Sequence, residues 1–452
     1  MNLSLLPLLF GRAFLIGILL VAGPKLRAQT WKATSASVRA GVADERATMG
    51  ASSWTSGLEL RNVGPSVMSG RVVDVAVVED TMYVAYATGG LWKSINHGTT
   101  FEPLLEETCM LGAVAAHPSG RVVVGSGEVN SSRSSYAGDG VYVSDDHGAT
   151  WRHTGLEGSH HIGRVILDPS NPDRMWVAAL GELYSANRGG AVYRSEDGGQ
   201  TWQSVLTVPR GASKGEFVGF VDLAADATDP NHLFAASWDR TRRAHDFQEA
   251  GPGTAIYETT DGGDTWKRIS RGNGFPDGKH AGRVGLTYHS ESGTLFALLD
   301  NQGDRPVSDE EARADTLLKA DAFVNMDAEA FGELPNKELQ AFLEAEGFDE
   351  ADSASSVKAR VAQGELKPRA LYDYLTDGNR ALFETEIVGA EVHRYRVPGR
   401  STPGNGGGAR ATLSQLAQEQ KEPEPTQGVW ERTHEDYLND VCYTYGYYFG
   451  TV

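Results

Sequence analysis

Between residues 54 and 300 the alternation of apolar and polar positions breaks the chain into runs of roughly four to eight residues, with no sustained helical stripe. One set covers 71–78, 111–116, 163–168, 217–224 and 283–289; a second follows each of these, at 82–87, 122–125, 175–179, 233–237 and 295–299. A third set reads Gly90-Leu91-Trp92-Lys93, Gly140-Val141-Tyr142-Val143, Ala191-Val192-Tyr193-Arg194 and Ala255-Ile256-Tyr257-Glu258. Short strands separated by turn residues predict antiparallel sheet, built as one meander repeated along the chain.

An octapeptide follows each run of the third set. Ser-Asp-Asp-His-Gly-Ala-Thr-Trp stands at 144–151, Ser-Glu-Asp-Gly-Gly-Gln-Thr-Trp at 195–202 and Thr-Thr-Asp-Gly-Gly-Asp-Thr-Trp at 259–266, with a degenerate Ser-Ile-Asn-His-Gly-Thr-Thr-Phe at 94–101. Their starts are 50, 51 and 64 residues apart, a period that suits four-stranded propeller blades better than helical solenoids. Asn96, Asp146, Asp197 and Asp261 can accept hydrogen bonds from a tight turn, glycine supplies a positive φ, and Trp151, Trp202 and Trp266 can cover the gap between sheets. Each octapeptide is therefore predicted to be the hairpin between a blade's third and fourth strands.

These octapeptides resemble Asp boxes, and the chain resembles the Asp-box (BNR-repeat) β-propeller superfamily, closest to bacterial secreted proteins with a sortilin-like, or VPS10-like, N-terminal domain. The stretch Val63-Gly64-Pro65-Ser66-Val67-Met68-Ser69-Gly70-Arg71-Val72 and the tetrapeptide His434-Glu435-Asp436-Tyr437 are similar to theirs. The likeness covers about residues 54–301 and 384–452. It implies an all-β propeller in which the boxes are structural and lie away from the ligand face.

The strand runs predict about five blades and an incomplete ring. Residues 54–63 read as an orphan outer strand, and 448–452 as the start of a sixth inner strand. The blades occupy 54–300, continue at 384–400 and end in 429–452, where Val429-Trp430-Glu431-Arg432 reads as the outer strand of blade five. Missing C-terminal blades are thus expected to be required. Between the parts of blade five, 301–383 reads as an acidic helical insertion, with helices over 308–320, 335–347 and 367–375 and Leu339, Phe342 and Leu343 on one helix face. The stretch 401–428, with its glycine run and Glu422-Pro423-Glu424-Pro425, reads as a disordered linker.

Residues 14–21, Phe-Leu-Ile-Gly-Ile-Leu-Leu-Val, are too short an apolar run to span a bilayer comfortably and predict a signal peptide over 1–29, followed by a flexible segment over 30–53. That reading makes the protein secreted or periplasmic, without a stable membrane span after cleavage. Acidic residues outnumber basic ones 60 to 41, a formal charge of −19, which opposes sequence-independent binding to nucleic acid. Cys109 and Cys442 are too few for a disulfide framework.

In a four-strand meander the connections after strands two and four share one rim, and here these are the long ones. Ligands bind most often where long loops crowd one rim of a rigid scaffold. Three inner strands open with Gly-Arg-Val, which brings Arg71, Arg164 and Arg283 toward that rim as a possible cationic funnel for a carboxylate or sulfate, with Arg240, Arg242 and Arg243 near; pairing with carboxylates of neighbouring blades is the alternative. Glu128, Glu182, Asp239 and Asp246 are the rim carboxylates a glycosidase would use, and Trp238, Tyr136 and Tyr184 could stack sugars or pack loops. His160, His161, His245 and His280 lack metal-ligand spacing, so neither metal nor cofactor is expected. Tyr395-Arg396-Val397-Pro398 resembles a sialidase element but follows the last clear box instead of preceding the first.

Two functions remain open. One is a binding or scaffold module for a peptide, protein or polysaccharide, with Arg71, Arg164, Arg283, Glu128, Glu182, Trp238, Asp239 and Arg240 as ligand residues. The other is a glycoside hydrolase related to two-propeller xyloglucan-cleaving enzymes.

Overall fold

The computed structural model describes residues 34–58, 70–105, 108–132, 135–211, 215–242, 247–306, 318–349, 352–375, 387–398 and 428–438. Five antiparallel meanders make up the β part. Blade one is Val72–Val78, Thr81–Tyr86, Gly90–Ser94 and Glu102–Leu105; blade two is Leu111–Ala116, Val122–Ser126, Val141–Ser144 and Arg152–His153. Blade three is Ile162–Leu167, Met175–Ala179, Ala191–Ser195 and Gln203–Leu206; blade four is Phe217–Asp226, Asp229–Trp238, Ala255–Thr259 and Lys267–Arg268. Blade five is Ala281–His289, Thr294–Asp304, Ile387–Arg396 and Trp430–Arg432. The result is an incomplete all-β propeller with a helical insertion.

Apolar clusters lie between successive blades. Tyr83, Ala85 and Leu91 of blade one meet Leu111, Val114 and Val124 of blade two, with Trp151 against them. Val123 and Val143 meet Ile162, Val165 and Val177 beside Trp202. Trp176 and Val192 meet Phe220, Leu223 and Leu233 beside Trp266, and Phe234, Trp238 and Ile256 meet Val284, Leu286, Leu295 and Trp430. Each buried large side chain contributes about 1.5–3 kcal/mol by leaving water. Among the described residues no such cluster joins blade one to blade five.

A shared irregularity sets how the inner strands approach one another. In each of the five, one extra residue interrupts the pairing with the second strand, between Val72 and Asp74, Leu111 and Ala113, Ile162 and Arg164, Phe220 and Asp222, and Ala281 and Val284. Such bulges bend a strand and re-aim its side chains. Two bulge positions are glycines because neighbouring backbone is too close for more: a Cβ on Gly112 would lie 2.1 Å from the Ile162 carbonyl oxygen, and one on Gly163 2.1 Å from that of Val221.

The octapeptides form four equivalent hairpins. In blade two the Ser144 hydroxyl donates to Asp146 Oδ1 (2.8 Å) and accepts from Gly148 N (2.8 Å), while Asp146 accepts from Thr150 N (2.8 Å) and the Thr150 hydroxyl (2.6 Å). The same set recurs around Asp197 and Asp261, and around Asn96 with the amide of Asn96 donating to Thr100. Trp151 Nε1 donates to Leu104 O (3.2 Å) and Trp202 Nε1 to Thr154 O (2.7 Å), each on the preceding blade. Blade five has no octapeptide, yet Trp430 Nε1 donates to Ile269 O of blade four (2.8 Å). Its indole therefore closes the seam as Trp151 and Trp202 do.

Connections from strand two to strand three of blade five carry Ala328–Glu333, Asn336–Ala345, Ala354–Ala362 and Arg369–Leu375, which enclose their own core of Phe323, Phe331, Leu339, Phe342, Val357 and Leu371. The first and third helices were not apparent in the sequence. Each is short and starts on a capping side chain, Asp327 accepting from Ala330 N (2.8 Å) and Ser353 from Ser356 N (3.3 Å). The helix expected over 308–320 lies mostly outside the described residues, as do 1–33, the glycine-rich stretch to residue 427, Cys442 and the expected sixth inner strand.

Two N-terminal expectations change. Ala36–Ser52, within the segment expected to be flexible, is helix, with the Ser35 hydroxyl accepting from Val38 N (3.3 Å) at its start. Residues 54–58, expected to begin an outer strand, are successive turns because Ser56 N donates to Ser53 O (3.0 Å) and Leu58 N to Thr55 O (2.9 Å).

Candidate functional site

Blade four's second strand ends on the long-loop rim in Trp238-Asp239-Arg240. Trp238 is fully buried, and its indole Nε1 donates to Glu249 O (2.7 Å) in the loop that returns to strand three. Two guanidinium groups lie about its ring, the Arg240 carbon 5.5 Å from the centroid and the Arg283 carbon 5.7 Å. Cations placed so are drawn to the indole's electron-rich face.

Arg240 is 6% exposed, and its Nε and Nη2 have no hydrogen-bond partner among the described residues. Burial, followed by repulsion from Arg210 and Arg283, brings its pKa down to about 9. Asp239 does not relieve it: its carboxylate pairs with Arg210 (2.9 Å) and accepts from Gly253 N (3.0 Å). A Cβ on Gly251 would come within 2.6 Å of the Asp239 carboxylate, so small residues hold that geometry. Tyr184 borders the same site, its hydroxyl donating to Ser132 O (2.9 Å).

Two acids complete the cluster. Asp300, at 1% exposure, accepts both contacts from the Gln302 amide (2.8 Å each), and burial pushes its pKa up to about 7. Glu249 is pushed up to about 8, chiefly by burial and then by the charge of Asp300. Neither acid was singled out in the sequence. Glu249 sits in an unpatterned loop, and the signal for Asp300 was a charge closing the apolar run Leu295 to Leu299.

The three Gly-Arg-Val arginines have separate fates. Arg71 pairs with Glu128, whose carboxylate also accepts from Asn130 Nδ2 (2.5 Å). Arg164 reaches across the axis to Asp222 (2.7 Å) on blade four and Asp74 (3.2 Å) on blade one, and Asp222 above all holds its pKa up. Arg283 alone joins Trp238, Asp239 and Arg240. The structure therefore gathers Trp238, Asp239, Arg240, Arg283 and Tyr184, and places Arg71 with Glu128 and Arg164 elsewhere. Glu182 accepts from Arg188 N (2.7 Å) and Gly189 N (2.9 Å), which ties its own loop. His161 Nδ1 is 2.6 Å from Glu128 O and His280 Nδ1 3.2 Å from Gln302 O. Among the described residues no three His, Cys, Asp or Glu side chains group to hold a metal, and no helix is long and apolar enough to cross a membrane. Arg243, His245 and Asp246 lie outside the described residues.

Comparison with known proteins adds the following. The family described as sortilin, neurotensin receptor 3, matches residues 122–334. A xyloglucanase from Paenibacillus sp is 25% identical over 245 residues, 47% of this chain and 22% of that protein, so the chain spans under a quarter of that relative. Among solved structures, the GH74 xyloglucanase from Xanthomonas campestris aligns at 20% identity and a TM-score of 0.38, covering 51% of this chain and 35% of that one. YCF48 bound to D1 peptide aligns at 18% identity and a TM-score of 0.34, covering 53% and 64%. The five meanders give this chain a β-propeller fold, and over residues 122–334 it is similar to the sortilin family.

Proposed function

We propose that this is an exported binding module whose long-loop rim receives an anionic group of a peptide or extended polymer. One observation carries the reading: the Arg240 guanidinium is buried beside Arg283 and Trp238 without a carboxylate of its own among the described residues. A buried cation is costly unless paired, and a ligand carboxylate or sulfate would supply the partner and accept from its free nitrogens. Tyr184, which is exposed, offers aromatic surface beside that contact.

The test is calorimetric binding of peptides with free and amidated C-termini, and of neutral and acidic oligosaccharides. Arg240→Gln is expected to weaken an anionic ligand about tenfold or more, and Arg71→Gln to leave it unchanged. Equal binding by both variants would defeat the assignment.

Glu249 and Asp300 favour one second reading, a glycoside hydrolase, because a general acid must hold its proton near neutral pH. Similarity to xyloglucanases makes xyloglucan its first substrate to try. Reducing-end release that disappears in Asp300→Asn would establish it.

A further inference from the structure

We infer that residues 433–438 form an acid-released strap over the outward face of blade five, with His434 as its latch. The register of the blade defines that face. Leu295, Ala297 and Leu299 of strand two point toward blade four, so Leu298 and its partner Val392 point away, as does Ala390 two positions earlier. In blades one to four the corresponding face meets the next blade. In blade five Leu438 folds back to pair with Ala390 and packs with Leu298, Ala390 and Val392. The tetrapeptide His434-Glu435-Asp436-Tyr437, conspicuous in the sequence, is thus the body of the strap.

Thr433 donates its backbone N–H (2.9 Å) and its hydroxyl (3.0 Å) to Val392 O, just past the pairing of strand three with Trp430–Arg432. Val392 N in turn donates to His434 Nε2 (3.0 Å), and His434 Nδ1 donates to Asp436 O (2.6 Å). Only the neutral ring, protonated at Nδ1, makes both bonds. The charged and titratable groups around the latch are Glu391, His393 and Arg394 on strand three, Glu431 and Arg432 on the outer strand, Glu435, Asp436 and Tyr437 on the strap, and Arg305 just past strand two. Several are spent on one another: Glu391 on Arg432 (3.3 Å) and His393 (3.4 Å), Arg394 on Glu431 (2.8 Å), and the Tyr437 ring on Arg305 (4.3 Å) and Arg432 (5.4 Å). Arg432 Nη2 also donates to Asp436 O (3.3 Å), so the latch shares its acceptor with a cation. When Nε2 takes up a proton, two N–H groups face each other, the Val392 bond is lost and the strap opens. The released state therefore holds one more proton than the latched state. Closure is favoured at high pH and lost as pH falls through the range in which imidazoles ordinarily titrate, pH ~7 to ~5.5.

Hydrogen exchange read by mass spectrometry on the full chain, at pH ~7.5 and pH ~5.5 and corrected for the intrinsic effect of pH on exchange, tests the latch. Peptides spanning 387–398 and 428–438 are expected to lose protection about tenfold on acidification, while the helix Asn336–Ala345 keeps its own. His434→Gln retains an acceptor without a titratable group and should hold the strap closed at both pH values. His434→Ala should leave it open at both. Protection that does not change with pH in the wild type, acid loss that persists in His434→Gln, or a protected strap in His434→Ala would overturn the inference. Acid loss shared equally by the helix would also overturn it, as unfolding of the whole chain. If the variants do not fold, heteronuclear NMR of the wild-type His434 ring decides: a proton on Nδ1 at pH ~7.5 is expected, and a proton on Nε2 there would sink the latch.

Discussion

The two rims of the propeller differ in how completely they use arginine. On the short-loop rim, guanidinium groups are spent on the next blade: Arg121 on Pro172 O (2.8 Å) and Asp173 (2.5 Å), Arg152 on Gly198 O (2.7 Å), Arg174 on Asn231 (2.8 Å), and Arg194 on Gly262 O (2.9 Å) and Asp264 (2.8 Å). On the long-loop rim, Arg71 and Arg210 likewise pair with carboxylates of the next blade, Glu128 and Asp239, but Arg240 is buried with its Nε and Nη2 unbonded among the described residues. Satisfied polar groups stabilise a fold, whereas unsatisfied ones persist where the surroundings hold them and a ligand can use them. One rim therefore only fastens blades, while the other fastens them and keeps one buried guanidinium in reserve.

The largest expected effect tests whether the axis belongs to the fastening side. Arg164→Ala would leave Asp222 and Asp74 buried without their cation, a loss of about 3–5 kcal/mol on removal of one partner of a buried pair. Urea denaturation measures it, and anion affinity should stay unchanged. A loss of binding with little loss of stability would move Arg164 to the functional side.

Next come the seam indoles. Trp202→Ala is expected to cost about 3 kcal/mol, and Trp430→Ala about the same, if Trp430 fastens blade five as Trp202 fastens blade three. A negligible effect at Trp430 would show that blade five is held differently.

Repetition explains what could be read from the chain beforehand. The octapeptide hairpins and strand runs recur at nearly constant spacing, so their positions were legible without contacts. Trp430 was read only as part of an outer strand, because its octapeptide has been lost and the remaining signal is one aromatic residue. The site was half legible: Trp238, Asp239, Arg240 and Arg283 have conspicuous chemistry, but Glu249 and Asp300 matter through burial and through each other, 51 positions apart, which no local pattern encodes. Identical Gly-Arg-Val openings lead to different partners on different blades: Arg71 and Arg164 meet carboxylates of other blades, the alternative the sequence had offered for them, while Arg283 lies against Trp238.

A smaller effect appears on the alkaline side. Glu249 and Asp300 keep protons in the fold to about pH 8 and about pH 7, while the unfolded chain releases them near pH ~4. Between those limits the folded chain binds more protons, so stability falls as pH rises. Glu249→Gln should therefore melt higher than wild type at pH ~9 and much the same at pH ~4. A variant less stable at both would mean that the ionised acid is matched in the fold.

The smallest expected effect lies in the hairpins, where the chain supplies its own control. Asn96 accepts from Thr100 N (2.9 Å) through Oδ1 and donates to the Thr100 hydroxyl (2.9 Å), so an amide fills the position of the carboxylate with the direction of one bond reversed. Asp197→Asn should accordingly change neutral-pH stability only slightly. Its consequence appears in acid. Hydrogen bonds from Thr201, above all, hold the Asp197 carboxyl down at about 2, so its contribution is complete above the unfolded value near ~4 and is lost as pH falls through about 2. The asparagine variant cannot make that transition, and its acid unfolding curve should be shallower than that of wild type. An equally steep curve would place the acid sensitivity elsewhere, first at Asp226, which is held down at about 2 beside Thr228 and His232.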